Sequence, residues 1–391
     1  MSKRLFVLTL LVTAVVAGGR IRAETDVPAP ESSDSKPWGK ITLMPMFLEA
    51  SQAMMDAYPL PSPVPRWSVP LAEREKLQAF LTEVGVPEAV TTYVSDPAHQ
   101  AVQAPWLHLF PQVQDVVDLP SEVRLTLYAK LAEFEPNEYQ RDPVLMASDT
   151  VQEWYASSSL RPELVDLIAG MSYRRGQAWA FSDLQLMLNF VESDEEARNL
   201  FKAFTRCRTY LAKLTVSQNA DLEALKKYWT VGQGYRLKDI EPFLASLVER
   251  REEVQVDLVH LLPPLPRRLL YTYPRAELAS KGIMPDCHWT SLNFFAYEPH
   301  DSYLDSRLAT AHVLEDYTPV EPPFRYGDVL FFLDDSTGSA YHSCIYLADG
   351  LVYTKNGRNH MSPWIISTIE DVKRTYLAMI QGSVRGYRLK E

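Results

Sequence analysis

Two residues in the last third of the chain have the types that could do covalent chemistry together. Cys287 stands in Asp286-Cys287-His288-Trp289-Thr290-Ser291, and His342 follows fifty-five residues later. A cysteine with a histidine is a nucleophile with a base to activate it. Gly282, Pro285 and Asp286 break the preceding pattern, and Trp289, Leu292, Phe294 and Phe295 resume an apolar one. This predicts a buried helix opening at Cys287 with Asp286 as its N-cap. The unpaired N–H groups and the positive helix end would stabilise a thiolate and lower its pKa. The Cys287 N–H would also help hold an oxyanion, a contribution of about 2.7–4 kcal/mol for one such donor in other hydrolases.

His342 must be positioned by strands. The apolar run Tyr326-Gly327-Asp328-Val329-Leu330-Phe331-Phe332-Leu333 ends in a polar turn at Asp334 to Gly338. Tyr341 to Leu347 follows, and then Leu351 to Thr354 after Ala348-Asp349-Gly350. These predict successive antiparallel strands, the last two joined by a tight Asp-Gly turn. Cys344 and Tyr346 share the face of His342. Asn356 is chemically suited to orient an imidazole, and it shares the face of Thr354 if the strand runs that far.

Asp-Cys at a helix start, Gly-Asp-Val-Leu-Phe-Phe, and His-x-x-Ile-Tyr-Leu-x-Asp-Gly together resemble the NlpC/P60 family of papain-fold cysteine peptidases. The likeness covers roughly residues 268–391. It implies a helix bearing the cysteine packed on an antiparallel sheet, with Cys287 as nucleophile and His342 as base. The third, orienting residue is commonly a histidine in the family; here that position is Thr354, with Lys355 and Asn356 beyond it, so the role falls to Asn356 or Thr354. His288 and Trp289 stand where the family has Ser or Thr and then a small residue, and Cys344 where it has a small one. Asp286, His288 and Tyr273 are the candidates for substrate or oxyanion contact; Tyr271 and Tyr273 lie where the family often has a tyrosine near the oxyanion. The resemblance implies peptidoglycan stem peptides as substrate, cut near D-glutamyl residues, with no metal or organic cofactor.

Other readings of the same residues stay open. Cys287 and Cys344 could form a disulfide. Cys287, His288, His342 and Cys344 could bind zinc, although adjacent ligands are unusual and no C-x-x-C spacing occurs. The domain could be a non-catalytic envelope-binding scaffold, or an amidase or acyltransferase on another substrate.

The rest of the chain supplies context. Its 391 residues allow two or three domains, and 46% hydrophobic residues suffice for a sizeable core. A net charge of −11 argues against general nucleic-acid binding. Residues 1–23 read as a secretory signal: Lys3 and Arg4, then the uncharged run Leu5 to Ala17, too short to span a bilayer comfortably. This implies an exported protein, periplasmic, in the cell envelope or secreted, without stable membrane insertion after cleavage. Residues 24–38 are a Pro/Ser-rich tether. Residues 39–264 read as a mainly helical domain, with helices over 120–134, 162–172, 219–229 and 239–253 and a capping box at Ser193-Asp194-Glu195-Glu196. Leu184, Leu186, Met187 and Phe190 mark a helix before it. Cys207 reads as a core residue of a helical stripe with Phe201, Phe204 and Leu211. Pro263-Pro264-Leu265-Pro266 marks the boundary to a domain over 265–391, and Tyr376–Ile380 and Val384–Leu389 read as closing strands. The expected fold class is therefore α+β: a helical domain, then an NlpC/P60-like papain fold. Oligomeric state is not readable.

Overall fold

The computed structural model describes residues 36–231, 235–250, 252–275, 277–377 and 381–390. The expected signal at 1–23, and the tether up to residue 35, lie outside the described residues. The fold is mixed α+β. Two compact units divide the chain, one formed by the segment up to Leu48 with Cys207–Glu391, the other by Glu49–Arg206.

The first unit carries the candidate site. β1 (Lys40–Leu48) pairs antiparallel with β2 (Cys207–Val216) from Lys40↔Thr215 to Leu48↔Cys207. Helices α1 (Leu222–Trp229) and α2 (Leu237–Val248) follow, and β3 (Val254–Asp257) adds to the free edge of β2. α3 (Pro264–Leu269) starts on a proline, whose missing N–H costs a first helical turn nothing. The proline-rich stretch is thus a helix start, and the chain crosses between the compact units at 48/49 and at 206/207. Next come α4 (Cys287–Leu292), α5 (Ser306–Asp316), β4 (Tyr317–Val320), β5 (Val329–Asp334), β6 (Ala340–Ala348), β7 (Leu351–Lys355), β8 (Trp364–Thr368), α6 (Ile369–Tyr376) and β9 (Gly382–Leu389). The sheet order is β4-β9-β5-β6-β7-β8, antiparallel throughout.

Both faces of this sheet are covered. Trp289 and Leu292 of α4 pack with Val329, Phe331, Ile345, Leu347, Tyr353, Trp364 and Ile366. The other face gathers Leu330, Phe332, Cys344, Tyr346 and Val352 with Val372, Tyr376 and Leu377. This explains why β5 to β8 read as near-continuous apolar runs rather than alternating ones. The Asp349-Gly350 turn has φ of 51° and 77°, the pair of left-handed residues that a tight hairpin demands.

In the second unit the helices Ser121–Leu131, Pro162–Met171 and Asp194–Phe204 form where periodicity predicts them, and the Ser193 hydroxyl caps Glu196 N. The helix expected before it is a short 3-10 turn, Leu186–Asn189. Helices prevail over 39–264 as expected, but strands that the periodicity did not disclose stand between them. This unit holds two three-stranded sheets, Trp67–Pro70, Trp106–Leu109 and Gln100–Gln103, and Val144–Met146, Ala178–Phe181 and Tyr173–Arg175. Strands of three or four residues are too short for alternation to declare itself. Two further corrections concern the first unit. Cys207 opens strand β2, not a helix, and Tyr376 closes helix α6, not a strand. Residues 378–380 of that expected strand lie outside the described ones. Among the described residues, no helix is long and apolar enough to cross a membrane.

Candidate active site

Cys287 is the first residue of α4, and Asp286 is its N-cap, the carboxylate accepting from Trp289 N at 2.8 Å. The other Asp286 oxygen accepts from Arg358 Nε at 2.9 Å. Asp286 is therefore occupied in building the helix start and holding Arg358. The helix is fixed on the sheet by two bonds: Ser343 Oγ donates to Ser291 Oγ at 3.1 Å, and Trp364 Nε1 to Thr290 Oγ1 at 3.0 Å.

The thiol is 5% exposed. Burial pushes its pKa up to about 12, and the Asp286 carboxylate adds to this. The N–H groups of Ser343 and His288 and the Lys355 ammonium act the other way. The expected lowering by the helix end is thus corrected: α4 is short, its end is already capped by a carboxylate, and desolvation outweighs the remaining donors. Cys207, Cys287 and Cys344 are all free thiols. No group of three or more His, Cys, Asp or Glu among the described residues is arranged to hold a metal ion.

His342 is wholly buried on β6. Its Nε2 lies 2.9 Å from Thr354 Oγ1, and that hydroxyl also donates to the Ser343 carbonyl at 3.1 Å. A hydroxyl has one proton to give. Thr354 therefore accepts from His342 Nε2–H, which leaves the lone pair on Nδ1. That nitrogen has no hydrogen-bond partner. Burial, with His288 nearby, lowers the imidazole pKa well below 6.5, so the ring is neutral at pH 7. The Tyr376 ring stacks on it, and Phe332 meets it edge-on at 5.8 Å.

The register decides how the two halves meet. Ser343 points toward α4, whereas His342 shares the opposite face with Cys344 and Tyr376. No hydrogen bond joins Cys287 to His342. Ser343, next in sequence to His342, is the neighbour whose backbone N–H favours the charged form of Cys287. Tyr376, against the imidazole, also lies near Cys287, Cys207, Cys344 and Asp286.

The other candidates divide as follows. Asn356 bonds not the imidazole but the ring that covers it, its Oδ1 accepting from Tyr376 OH at 3.2 Å. His288 is buried and stacked on Phe331, and burial lowers its pKa. Tyr273 is half-buried between α3 and Glu277–Ser280, one residue after Thr272, whose carbonyl accepts from Trp364 N. Sequence reasoning missed Tyr376, Lys355 and Cys207. Lys355 is wholly buried, and Cys207 Sγ lies 4.0 Å from Asn356 Nδ2.

Comparison with protein-family models, with curated proteins and with solved structures finds no match to this chain.

Proposed function

We propose that the chain is a cysteine hydrolase of NlpC/P60 type, exported to the cell envelope, that cleaves amide bonds in peptidoglycan stem peptides. The observation that carries the reading is the state of His342: Nε2 is fixed by Thr354, and Nδ1 is unprotonated and unpartnered. A general base must be held in one tautomer with its other nitrogen available. In this reading the Cys287 side chain must swing to His342 Nδ1, which no hydrogen bond reaches in this structure, and give that nitrogen its proton as sulfur attacks the amide carbonyl. The imidazole returns that proton to the departing amine, and water then hydrolyses the thioester. Because burial disfavours both thiolate and imidazolium, proton transfer accompanies attack instead of preceding it. Thr354 is the orienting residue, and Asn356 supports it through Tyr376. No metal or organic cofactor enters this scheme.

The test is turnover of purified peptidoglycan and of short stem peptides, read by mass spectrometry of the fragments. Cleavage by the wild type, lost in Cys287→Ala and in His342→Ala, supports the reading. Absence of cleavage, or cleavage that survives Cys287→Ala, ends it.

A second reading has its own support: the burial of Cys287 and the Tyr376 ring over His342. A non-catalytic envelope-binding protein would keep the fold with its cleft closed. Retention on intact peptidoglycan without release of fragments would favour it. A cysteine amidase or acyltransferase on another substrate is distinguished by which electrophiles label Cys287.

A further inference from the structure

Lys355 is a wholly buried lysine at the end of β7. Its Nζ donates to the carbonyls of Gly357 at 2.7 Å and Asn359 at 2.8 Å and lies 6.0 Å from the centre of the Trp364 ring. Carbonyls orient an ammonium but do not neutralise it. Among the described residues, no carboxylate comes within ion-pair distance of it. A buried charge without a counter-charge is costly, and such groups are kept where the charge has a use.

Position indicates the use. Lys355 alternates with Tyr353, which belongs to the α4 side of the sheet. It pairs in register with Trp364, which is tied to the first turn of α4 through Thr290. The ladder between β6 and β7 ends at Ile345↔Tyr353, two residues before Lys355. The charged and titratable groups facing the ammonium are Cys287 and Asp286 at the start of α4 and Cys207 on β2. Of these, Asp286 is already engaged by Arg358. Cys287 is further surrounded by His288, Cys344 and Tyr376.

We propose that Lys355 is the counter-ion of Cys287, a positioning residue whose buried ammonium stabilises negative charge on that sulfur while the neutral His342 handles the proton. The inference rests on Cys287 being the nucleophile. Burial lowers the Lys355 pKa to about 8, and ionisation of Cys287, Asp286 or Cys207 would raise it. The assistance is therefore present at pH 7 and lost in mildly alkaline solution.

The test is charge-selective alkylation of the full chain. Neutral iodoacetamide and anionic iodoacetate are compared from about pH 6 to about pH 10. Modification at Cys287 is read on its own peptide by mass spectrometry. Ionisation of the thiol affects both reagents alike and cancels in the ratio of their rates. The iodoacetate-to-iodoacetamide ratio is expected to be about tenfold higher near pH 7 than near pH 9.5, with a midpoint near 8. Lys355→Met should flatten the ratio at its low value, and Lys355→Arg should keep it high throughout. A flat wild-type ratio, selectivity at Cys207 but not at Cys287, or an unchanged ratio in folded Lys355→Met overturns the proposal. If Lys355→Met does not fold, the wild-type titration and Lys355→Arg still decide. The readout needs no turnover. Selective alkylation without hydrolysis keeps the counter-ion and removes the hydrolase; hydrolysis with a flat ratio does the reverse.

Discussion

The Tyr376 ring lies on the His342 imidazole with ring centres 3.9 Å apart and planes 15° from parallel. The ring comes from α6 and the imidazole from β6, so the cover and the covered group belong to different elements. On one side His342 meets this ring; on its rim Thr354 holds Nε2. Each contact restricts the imidazole differently, and each can be removed by one substitution.

Thr354→Val removes the hydroxyl while keeping the shape. His342 Nε2–H and the Ser343 carbonyl then lose a buried partner. The expected cost is about 1–3 kcal/mol by chemical denaturation, and Thr354→Ser should recover most of it. If the proposed hydrolysis is present, Thr354→Val should lower kcat more than it raises KM, because the base loses its fixed tautomer. Wild-type stability in the valine variant would refute the hydrogen-bond assignment.

Acid should destabilise the protein through its buried histidines. Burial lowers the pKa of both His288 and His342 below 6.5. Below that value the unfolded chain binds protons that the native state does not. Their contribution is therefore complete above pH 6.5 and is lost as pH falls, by at most about 1.4 kcal/mol per pH unit for each histidine. Urea midpoints between about pH 7 and pH 5 should fall less steeply in His342→Asn than in the wild type. Equal slopes would contradict the buried, neutral imidazole.

Gly327 is irreplaceable for two separate reasons. Its φ is 92°, and a Cβ there would lie 2.6 Å from Phe295 Cε2. Gly327→Ala should cost about 1–2 kcal/mol for the backbone alone, with the clash added. A loss no larger than the backbone cost would show that Phe295 moves freely, and an unchanged thermal midpoint would refute the positive-φ cost as well.

In the second unit Arg124 and Asp183 are a buried pair, Nη1 to Oδ2 at 2.5 Å, with Tyr128 OH donating to the other oxygen at 2.6 Å. Asp183→Asn leaves the guanidinium without its counter-charge and should cost about 3–5 kcal/mol. Replacing both partners by apolar residues should recover much of the loss. A single variant as stable as the wild type would mean that Tyr128 and the Val116 carbonyl, which accepts from Arg124 Nη2, suffice.

What the sequence disclosed is mostly local. Asp286 as a cap needs only the next three residues, and the Asp349-Gly350 turn needs only its two strands. The α4 start and the strands through Thr354 were legible for that reason. Lys355 was not: a lysine at a strand end looks like a solvated terminus, and its burial depends on Trp364 of the next strand and on α4, far away in sequence. Cys207 misled for another reason. Phe201, Phe204 and Leu211 keep a helical spacing, but the helix stops at Phe204, and Cys207 is drawn into a ladder with Leu48. Tyr376 resembles a strand residue in sequence because its apolar neighbours outweigh the Thr368 cap eight positions earlier.

The pairing of Leu48 with Cys207 has a consequence for assembly. Residues 49–206 depart and return through neighbouring backbone positions, as a guest inserted at the tip of a hairpin. A disordered loop of about 160 residues would oppose closure of that hairpin by about 4–5 kcal/mol of entropy. A guest that folds first and holds its own ends together removes most of this cost. Formation of the strand that carries Cys207, and with it the surroundings of Lys355, would then wait on the folding of residues 49–206.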